Sequence, residues 1–380
     1  MTLSPEAEAI TARRIVDLSD DDGPGWLVVD QATIAERGSG ELPANLATRL
    51  RVTQLDTVMP GLVDSHLHGA LGVDFSQLGV DPECAIAHHH SAGATTVIAT
   101  LATAPMTDMV ARVRELRPLV EAGMIGGLHL EGPWLSPLRC GAHARHLLRL
   151  PNMNDVDALL DAGEGTIRMV TIAPELTGAV RVIKKLVDSG VVAAIGHSDA
   201  DSATTAHAVD VGARVITHLF NGMRPLHHRE PGIIGQALAD SNVAVELIAD
   251  GHHMHETIID LVLSAASDRL LLVSDAMAAT GLGDGKYVLA GSEVTVNRGV
   301  AQLTGGSSLA GSTMPLGKVV STLARRGVDA TILAAAASVR PGTILGLDAP
   351  ALRRGDPANM IALSADTRLR TMRNGQWLDS

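Results

Sequence analysis

Eight short apolar runs recur along the chain, several of them separated by stretches with helical periodicity. This alternation restricts the fold more than any other feature of the sequence. The runs are Leu62–Ser65, Thr95–Thr100, Met124–Leu130, Ile167–Ile172, Val191–Ile195, Arg214–Thr217, Val243–Ile248 and Leu270–Val273. Apolar residues spaced three and four apart mark helices over Met106–Glu121, Gly178–Ser189, Ser202–Val211 and Glu256–Ser267. Strands that alternate with helices pair in parallel through crossovers. About eight such units close into a (β/α)8 barrel of the TIM type, which occupies roughly 250 residues.

Both ends of the chain break this rhythm. Trp26–Val29, Thr33–Ala35 and Leu50–Leu55, then Asn359–Ala362 and Leu369–Asn374, read as short strands with turns such as Asp22-Gly23-Pro24-Gly25. The expected architecture is α/β: a (β/α)8 barrel over 59–345, and a small β-sandwich domain built jointly from 1–58 and 346–380.

Residues with metal chemistry fall just past the strand ends. His66 and His68 lie in Pro60-Gly61-Leu62-Val63-Asp64-Ser65-His66-Leu67-His68-Gly69, where extended chain puts both imidazoles on one side. Glu131 ends the third run, His197 the fifth, His218 the sixth and Asp275 the eighth. A lone histidine there is usually a packing residue, and a lone aspartate usually a helix N-cap. Six such groups gathered on one barrel rim form a metal site instead. Imidazole and carboxylate suit zinc, iron(II) or a related divalent ion. The set allows two ions bridged by Glu131, or one ion with supporting partners. The His88-His89-His90 run and His207 lie on predicted helices and read as surface or packing residues.

Further candidates occupy the loops. They are Ala142 and His143, Asn221 and Gly222, Arg229, His253 in Asp250-Gly251-His252-His253, and Leu309, Ala310 and Gly311 beside Gly305-Gly306-Ser307-Ser308. Arg229 and His253 are the natural anion contacts.

The net charge of −12 argues against non-specific binding to nucleic acid or anionic membranes, and an aromatic content of 2% against a base-stacking platform. Two cysteines, Cys84 and Cys140, make no disulfide framework, which fits a reducing cytoplasm. The first ten residues lack a signal-peptide pattern, and no apolar stretch reaches the roughly 18 residues of a membrane helix.

These motifs carry a resemblance. The Pro60–Gly69 segment is similar to the opening of the amidohydrolase superfamily. Within it, the chain resembles the N-acetylglucosamine-6-phosphate deacetylases. The resemblance rests on His129-Leu130-Glu131-Gly132-Pro133-Trp134, Gly196-His197-Ser198, His218-Leu219-Phe220-Asn221-Gly222-Met223, Arg229-Glu230-Pro231-Gly232, Ala249-Asp250-Gly251-His252-His253 and Val273-Ser274-Asp275-Ala276. It implies hydrolysis of the acetamide of N-acetylglucosamine 6-phosphate, in amino-sugar catabolism and cell-wall recycling. It also implies one or two divalent ions per subunit, zinc first, held by Glu131, His197 and His218, with His66, His68 and Asp275 as a second set. Asp275 would be general base and then acid, and His143 would polarise the amide carbonyl. Ala142, Asn221, Gly222, Leu309, Ala310 and Gly311 would line the sugar, and Arg229 and His253 the phosphate. Phosphate contacts shared between subunits would imply a homodimer. The rival readings are another hydrolase or deaminase on the same barrel, and a barrel without chemistry. No lysine ends the fourth run, Val170-Thr171-Ile172-Ala173-Pro174-Glu175, where many such enzymes carry a carboxylated lysine.

Overall fold

The computed structural model describes residues 3–16, 18, 23–348 and 351–378. At its centre is a parallel eight-stranded sheet. The strands are β1 (Val63–Leu67), β2 (Thr96–Ala102), β3 (Gly127–Glu131), β4 (Ile167–Ile172), β5 (Val192–Ile195), β6 (Val215–Ile216), β7 (Ala244–Ile248) and β8 (Leu270–Val273), adjacent in chain order. Past β8, the Asp275 N–H donates to the His66 carbonyl of β1 at 2.9 Å, which closes the cylinder. Each expected run overlaps one of these strands; the largest offset is at Met124, where the strand begins at Gly127. The helix Met106–Glu121 has the bounds its periodicity predicts. The helix Ala179–Asp188 buries Ala179, Val182, Ile183 and Leu186, a stripe at three- and four-residue spacing turned to the barrel.

The barrel interior is layered. Ile98, Met169, Ala194, Val215, Ala244 and Leu271 fill the lower part, with Leu345 packed against them. Above them runs a polar chain. His129 places Nδ1 3.1 Å from Thr100 Oγ1 and Nε2 2.8 Å from Thr171 Oγ1, and Thr171 Oγ1 lies 2.9 Å from Thr217 Oγ1. The histidine–carboxylate cluster sits above this layer, at the ends of the strands.

The terminal segments meet in one seven-stranded sheet. Its order is Gln376–Leu378, Leu369–Arg373, Met360–Leu363, Arg51–Pro60, Glu8–Ile15, Gly23–Asp30, Thr33–Ser39. Most pairs are antiparallel, but Glu8–Ile15 and Arg51–Pro60 pair in parallel. The sheet is strongly curled: Trp377 Nε1 donates to Glu8 Oε2 at 3.3 Å, although their strands would lie roughly 19 Å apart in a flat sheet. Ile10, Leu27, Ile34, Val58, Met360 and Met372 share the core inside the curl, which gives the sandwich-like form. We propose residues 1–58 with 346–380, and residues 59–345, as the two domains.

Two of the elements that were not expected matter most here. One is the strand Glu8–Ile15. The other is a three-stranded antiparallel sheet, Gly285–Leu289, Ser292–Asn297 and Val300–Leu303, within the barrel segment. Its turns, Ala290-Gly291 and Arg298-Gly299, have positive φ at both residues (50° and 76°, then 51° and 76°), the geometry that matches the twist of a two-residue hairpin. Leu289, Val294, Val296 and Ala301 pack with Ala142, Met277 and Ala310, so this sheet forms a wall beside the strand ends. No helix among the described residues is long and apolar enough to cross a membrane.

Candidate active site

The six sequence-predicted ligands converge on Glu131. Its Oε1 lies 3.0 Å from His197 Nε2, 3.1 Å from His218 Nε2 and 3.5 Å from His66 Nε2. Its Oε2 lies 3.2 Å from His68 Nε2 and 3.2 Å from His143 Nε2. Asp275 Oδ1 stands 3.3 Å from His68 Nε2 and 3.5 Å from His66 Nε2. His197, His218 and Asp275 each follow their strand with φ in the left-handed region, at 46°, 28° and 50°. That backbone is costly for a side-chain-bearing residue and persists only where surrounding bonds enforce it. At Asp275 the enforcing bonds are its N–H to His66 and its carbonyl, which accepts from Ser312 N–H at 2.7 Å.

This spacing suits a cation. Two donor atoms bound to one tetrahedral zinc at about 2.0–2.1 Å stand roughly 3.3 Å apart. His197 Nε2 and His218 Nε2 are 3.1 Å apart. Two neutral acceptor nitrogens repel at that distance unless a proton or a metal lies between them. His66 Nε2 is buried and has no hydrogen-bond partner.

The charges point the same way. Burial pushes the Glu131 carboxyl up, but His66, His143 and His197 outweigh it and hold it well below the usual range. Asp275 is likewise held low against its burial by His68 and His66. Burial opposes charge on His68, yet Asp275 and Glu131 raise it to about 9. The buried carboxylates thus demand positive charge, which protons supply when no metal does.

Ring hydrogen bonds distinguish the histidines. His197 Nδ1 meets the Arg139 carbonyl at 2.8 Å, so Nδ1 carries the proton and Nε2 offers its lone pair to the cluster. His66 Nδ1 meets Glu246 Oε2 at 3.0 Å, with the same consequence. His143 is reversed: its Nδ1 accepts from the Thr103 N–H at 3.3 Å, so Nε2 carries the proton. Burial pushes His143 down to about 4, which keeps it neutral. His143 therefore presents a hydrogen-bond donor, although its distances alone would also suit a ligand.

A cavity of about 340 Å³ opens above the cluster. Ala142, His143, Asn221, Gly222, His253, Leu309 and Gly311 line it, as do His68, Glu131, His197, His218 and Asp275. Two of the substrate-binding candidates do not, and His66 lies buried beneath the cavity lining. Ala310 is buried among Leu289, Val294 and Met277, because the unexpected small sheet covers that side of its loop. Arg229 is exposed, its Nη1 resting 2.9 Å from His228 Nε2. It does not line this chain's own cavity.

His253 Nδ1 lies 2.9 Å from Asp250 Oδ2, and Asp250 Oδ1 accepts the N–H groups of His252 and His253 at 2.9 and 3.0 Å. Burial opposes charge on His253, but the Asp250 hydrogen bond and charge prevail and raise its pKa. The cavity thus holds an imidazole that Asp250 biases toward its charged form.

Sequence reasoning missed Glu246 and Asp64. Glu246 is fully buried, orients His66 and accepts the His218 N–H at 3.2 Å. Asp64 accepts the Ser274 N–H at 3.2 Å, and burial pushes its carboxyl up to about 7. For Glu246 the available signal was a lone acidic residue inside an otherwise apolar strand, whereas Asp64 stands beside Ser65 and His66.

A parallel barrel whose rim gathers histidines and carboxylates at ligand spacing, around a polar cavity, is the frame of a metal-dependent hydrolase. The chain belongs to the amidohydrolase family, whose sequence profile matches residues 57–378. It is 35% identical over 351 residues to the N-acetylgalactosamine-6-phosphate deacetylase of Escherichia coli O157:H7, covering 90% of this chain and 92% of that one. It is 36% identical over 318 residues to the N-acetylglucosamine-6-phosphate deacetylase of Vibrio furnissii, covering 81% and 79%. Among solved structures it is similar to a mutant N-acetyl-D-glucosamine-6-phosphate deacetylase from Mycobacterium smegmatis in complex with N-acetyl-D-glucosamine-6-phosphate. That match has a TM-score of 0.93 and 42% identity over 98% of this chain and 99% of that one.

Proposed function

We propose that the protein is a cytoplasmic deacetylase that hydrolyses N-acetylglucosamine 6-phosphate to glucosamine 6-phosphate and acetate. The observation that carries this reading is one cavity holding both the Glu131-centred ligand cluster and the Asp250-paired His253 side chain, an amide-cleaving set beside an anion anchor. The likeness to the mycobacterial complex supports the sugar assignment.

Glu131, His197 and His218 are the residues that would hold the principal divalent ion, zinc or iron(II), and His66, His68 and Asp275 those that would hold a second. A divalent cation there lowers the pKa of water to about 7 and polarises a carbonyl. Amide cleavage then needs three things from the protein: a base for the attacking water, a donor for the carbonyl oxygen and an acid for the leaving nitrogen. Asp275, held ionised, takes the proton from water as the carbon–oxygen bond forms. His143 donates Nε2–H to the oxygen as it gains charge. Asp275 returns the proton to nitrogen as the carbon–nitrogen bond breaks, and acetate leaves. Asn221, Gly222, Ala142 and Leu309 position the sugar ring.

Arg229 serves the phosphate from a partner subunit in a homodimer, which accounts for its exposure on its own chain. Arg229→Ala is expected to raise KM for the phosphorylated substrate about 10- to 100-fold, the worth of a charge-assisted hydrogen bond, and to leave the unphosphorylated sugar unaffected. Steady-state kinetics on both substrates measure this; equal effects on both would remove Arg229 from the phosphate.

The His253 side chain sets a pH dependence. A raised pKa favours the charged form, so the positive charge persists above the ordinary value of about 6.5 and is lost as pH rises through the raised one. The phosphate ester becomes a full dianion only above about pH 6. KM is therefore expected to be lowest between these limits and to climb on the alkaline side. A KM that stays flat as the pH is raised from about 6 through the alkaline range would contradict this.

The function itself is tested by supplying metal-loaded protein with the N-acetyl 6-phosphates of glucosamine and galactosamine, then measuring acetate and free amine. Release of both from the gluco substrate is the expected result, with the galacto epimer the poorer one. Faster cleavage of the galacto epimer would reassign the substrate, and no release from either would refute the reading.

A further inference from the structure

Two of the loops that line the cavity are tied together by one carboxylate that lies outside it. Asp199 follows His197 by two residues. Its Oδ1 accepts Nε and Nη2 of Arg139, both at 2.8 Å, and its Oδ2 accepts Nη2 of Arg224 at 2.9 Å. Arg139 belongs to the loop after β3 that carries Ala142 and His143. Arg224 belongs to the loop after β6 that carries Asn221 and Gly222. Asp199 is itself anchored from the end of β4: its N–H donates to Glu175 Oε1 at 2.7 Å, and Glu175 Oε2 accepts Ser198 Oγ at 2.6 Å.

Both loops also close on the His197 ring. The Arg139 carbonyl meets Nδ1, and the Gly222 carbonyl accepts the Ser198 N–H at 3.1 Å. A Cβ built on Gly141 would lie 2.9 Å from His197 Cε1, and one on Gly222 would lie 2.9 Å from His197 Nδ1. The imidazole is thus gripped by both loops, at positions where any side chain would collide with it. The ion pairs at Asp199 hold the same two loops from outside. These three side chains are between one fifth and one third exposed, so the clasp is accessible to water and can open.

We propose that Asp199 is a positioning residue, a latch that holds the two loops closed on His197 and thereby sets where His143, Ala142, Asn221 and Gly222 meet the substrate. The choice of substrate rests on the deacetylase reading above; the latch itself does not.

The test uses Asp199→Asn in the full-length, metal-loaded protein. KM for the sugar phosphate is expected to rise about tenfold while kcat changes less than about threefold, with bound metal at the wild-type level. Asp199→Glu, which keeps the charge, is expected to restore most of the KM. Arg224→Ala is expected to raise KM in the same direction and to add little to Asp199→Asn, because both break one network. Amide hydrogen exchange gives a readout that needs no substrate: segments 135–146 and 219–224 are expected to exchange faster in Asp199→Asn while the barrel strands do not change. Unchanged exchange in both segments, or a KM within twofold of wild type, would overturn the latch. So would a loss of activity that only tracks loss of metal. If the wild-type protein released no acetate, the deacetylase reading would fail while the exchange result still judged the latch.

Discussion

Asp275→Asn is expected to lower kcat by about 10³-fold while the ion held by Glu131, His197 and His218 stays bound and KM shifts little. The size follows from the 10²- to 10⁴-fold contribution of a positioned acid or base. The geometry makes the substitution clean. Asp275 is fixed through its backbone, to His66 on one side and Ser312 on the other, so an amide side chain inherits its place. What is lost is basicity. The carboxyl is held below its usual range by His68 and His66 despite burial, so it is ionised and ready to accept a proton at neutral pH. An asparagine cannot take that proton or return it to the leaving nitrogen. Steady-state kinetics with elemental analysis on the same preparation decide the matter. A variant that keeps more than a tenth of wild-type turnover would exclude Asp275 from this role.

Glu131→Gln is expected to have the larger effect on metal. One carboxylate touches the imidazoles of His66, His68, His143, His197 and His218, and so joins both halves of the cluster. Replacing it with a neutral amide removes the charge that offsets a bound cation and puts a donor among nitrogens that need a cation. Loss of a partner that only orients a ligand costs 10- to 100-fold in metal affinity; loss of the shared ligand should cost at least about 10³-fold. Competition with a chromogenic chelator measures this without any reference to turnover. Wild-type affinity in Glu131→Gln would mean that the ion is held elsewhere.

How much of this was legible in the sequence differs by feature, for physical reasons. Barrel strands are buried on both faces, so they appear as continuous apolar runs bounded by polar loops, and all eight were located. The candidate ligands were legible as one cluster because barrel topology brings residues just past strand ends onto one rim, whatever their distance along the chain. Glu246 was not: it has the local look of a misplaced charge, and its partner His66 is 180 residues away. Asp64 was hidden by separation as well, its partner Ser274 being 210 residues distant. Glu8–Ile15 was missed because its buried residues, Ala9, Ile10, Ala12 and Ile15, are interrupted by Arg13 and Arg14. The three-stranded sheet was signalled by its glycine turns, but it lies inside a segment whose rhythm otherwise belongs to the barrel. Of the three adjacent histidines, His89 and His90 proved to be packing residues. His89 bonds the Gly69 carbonyl at 3.0 Å, and His90 bonds those of Ala94 and Met124 at 2.7 and 3.1 Å. Arg229 shows the limit of motif reading: the motif proposed a phosphate contact, but the side chain does not line this chain's own cavity.

The central claim is that Glu131, His197 and His218 share one bound cation in the working enzyme. Anomalous diffraction from crystals of active protein, collected on both sides of the zinc and iron absorption edges, tests it most directly. The expected result is a peak within bonding distance of Glu131 Oε1, His197 Nε2 and His218 Nε2, at full height only above the edge of the resident metal. Fully active crystals with these three side chains ordered and no peak among them would contradict it.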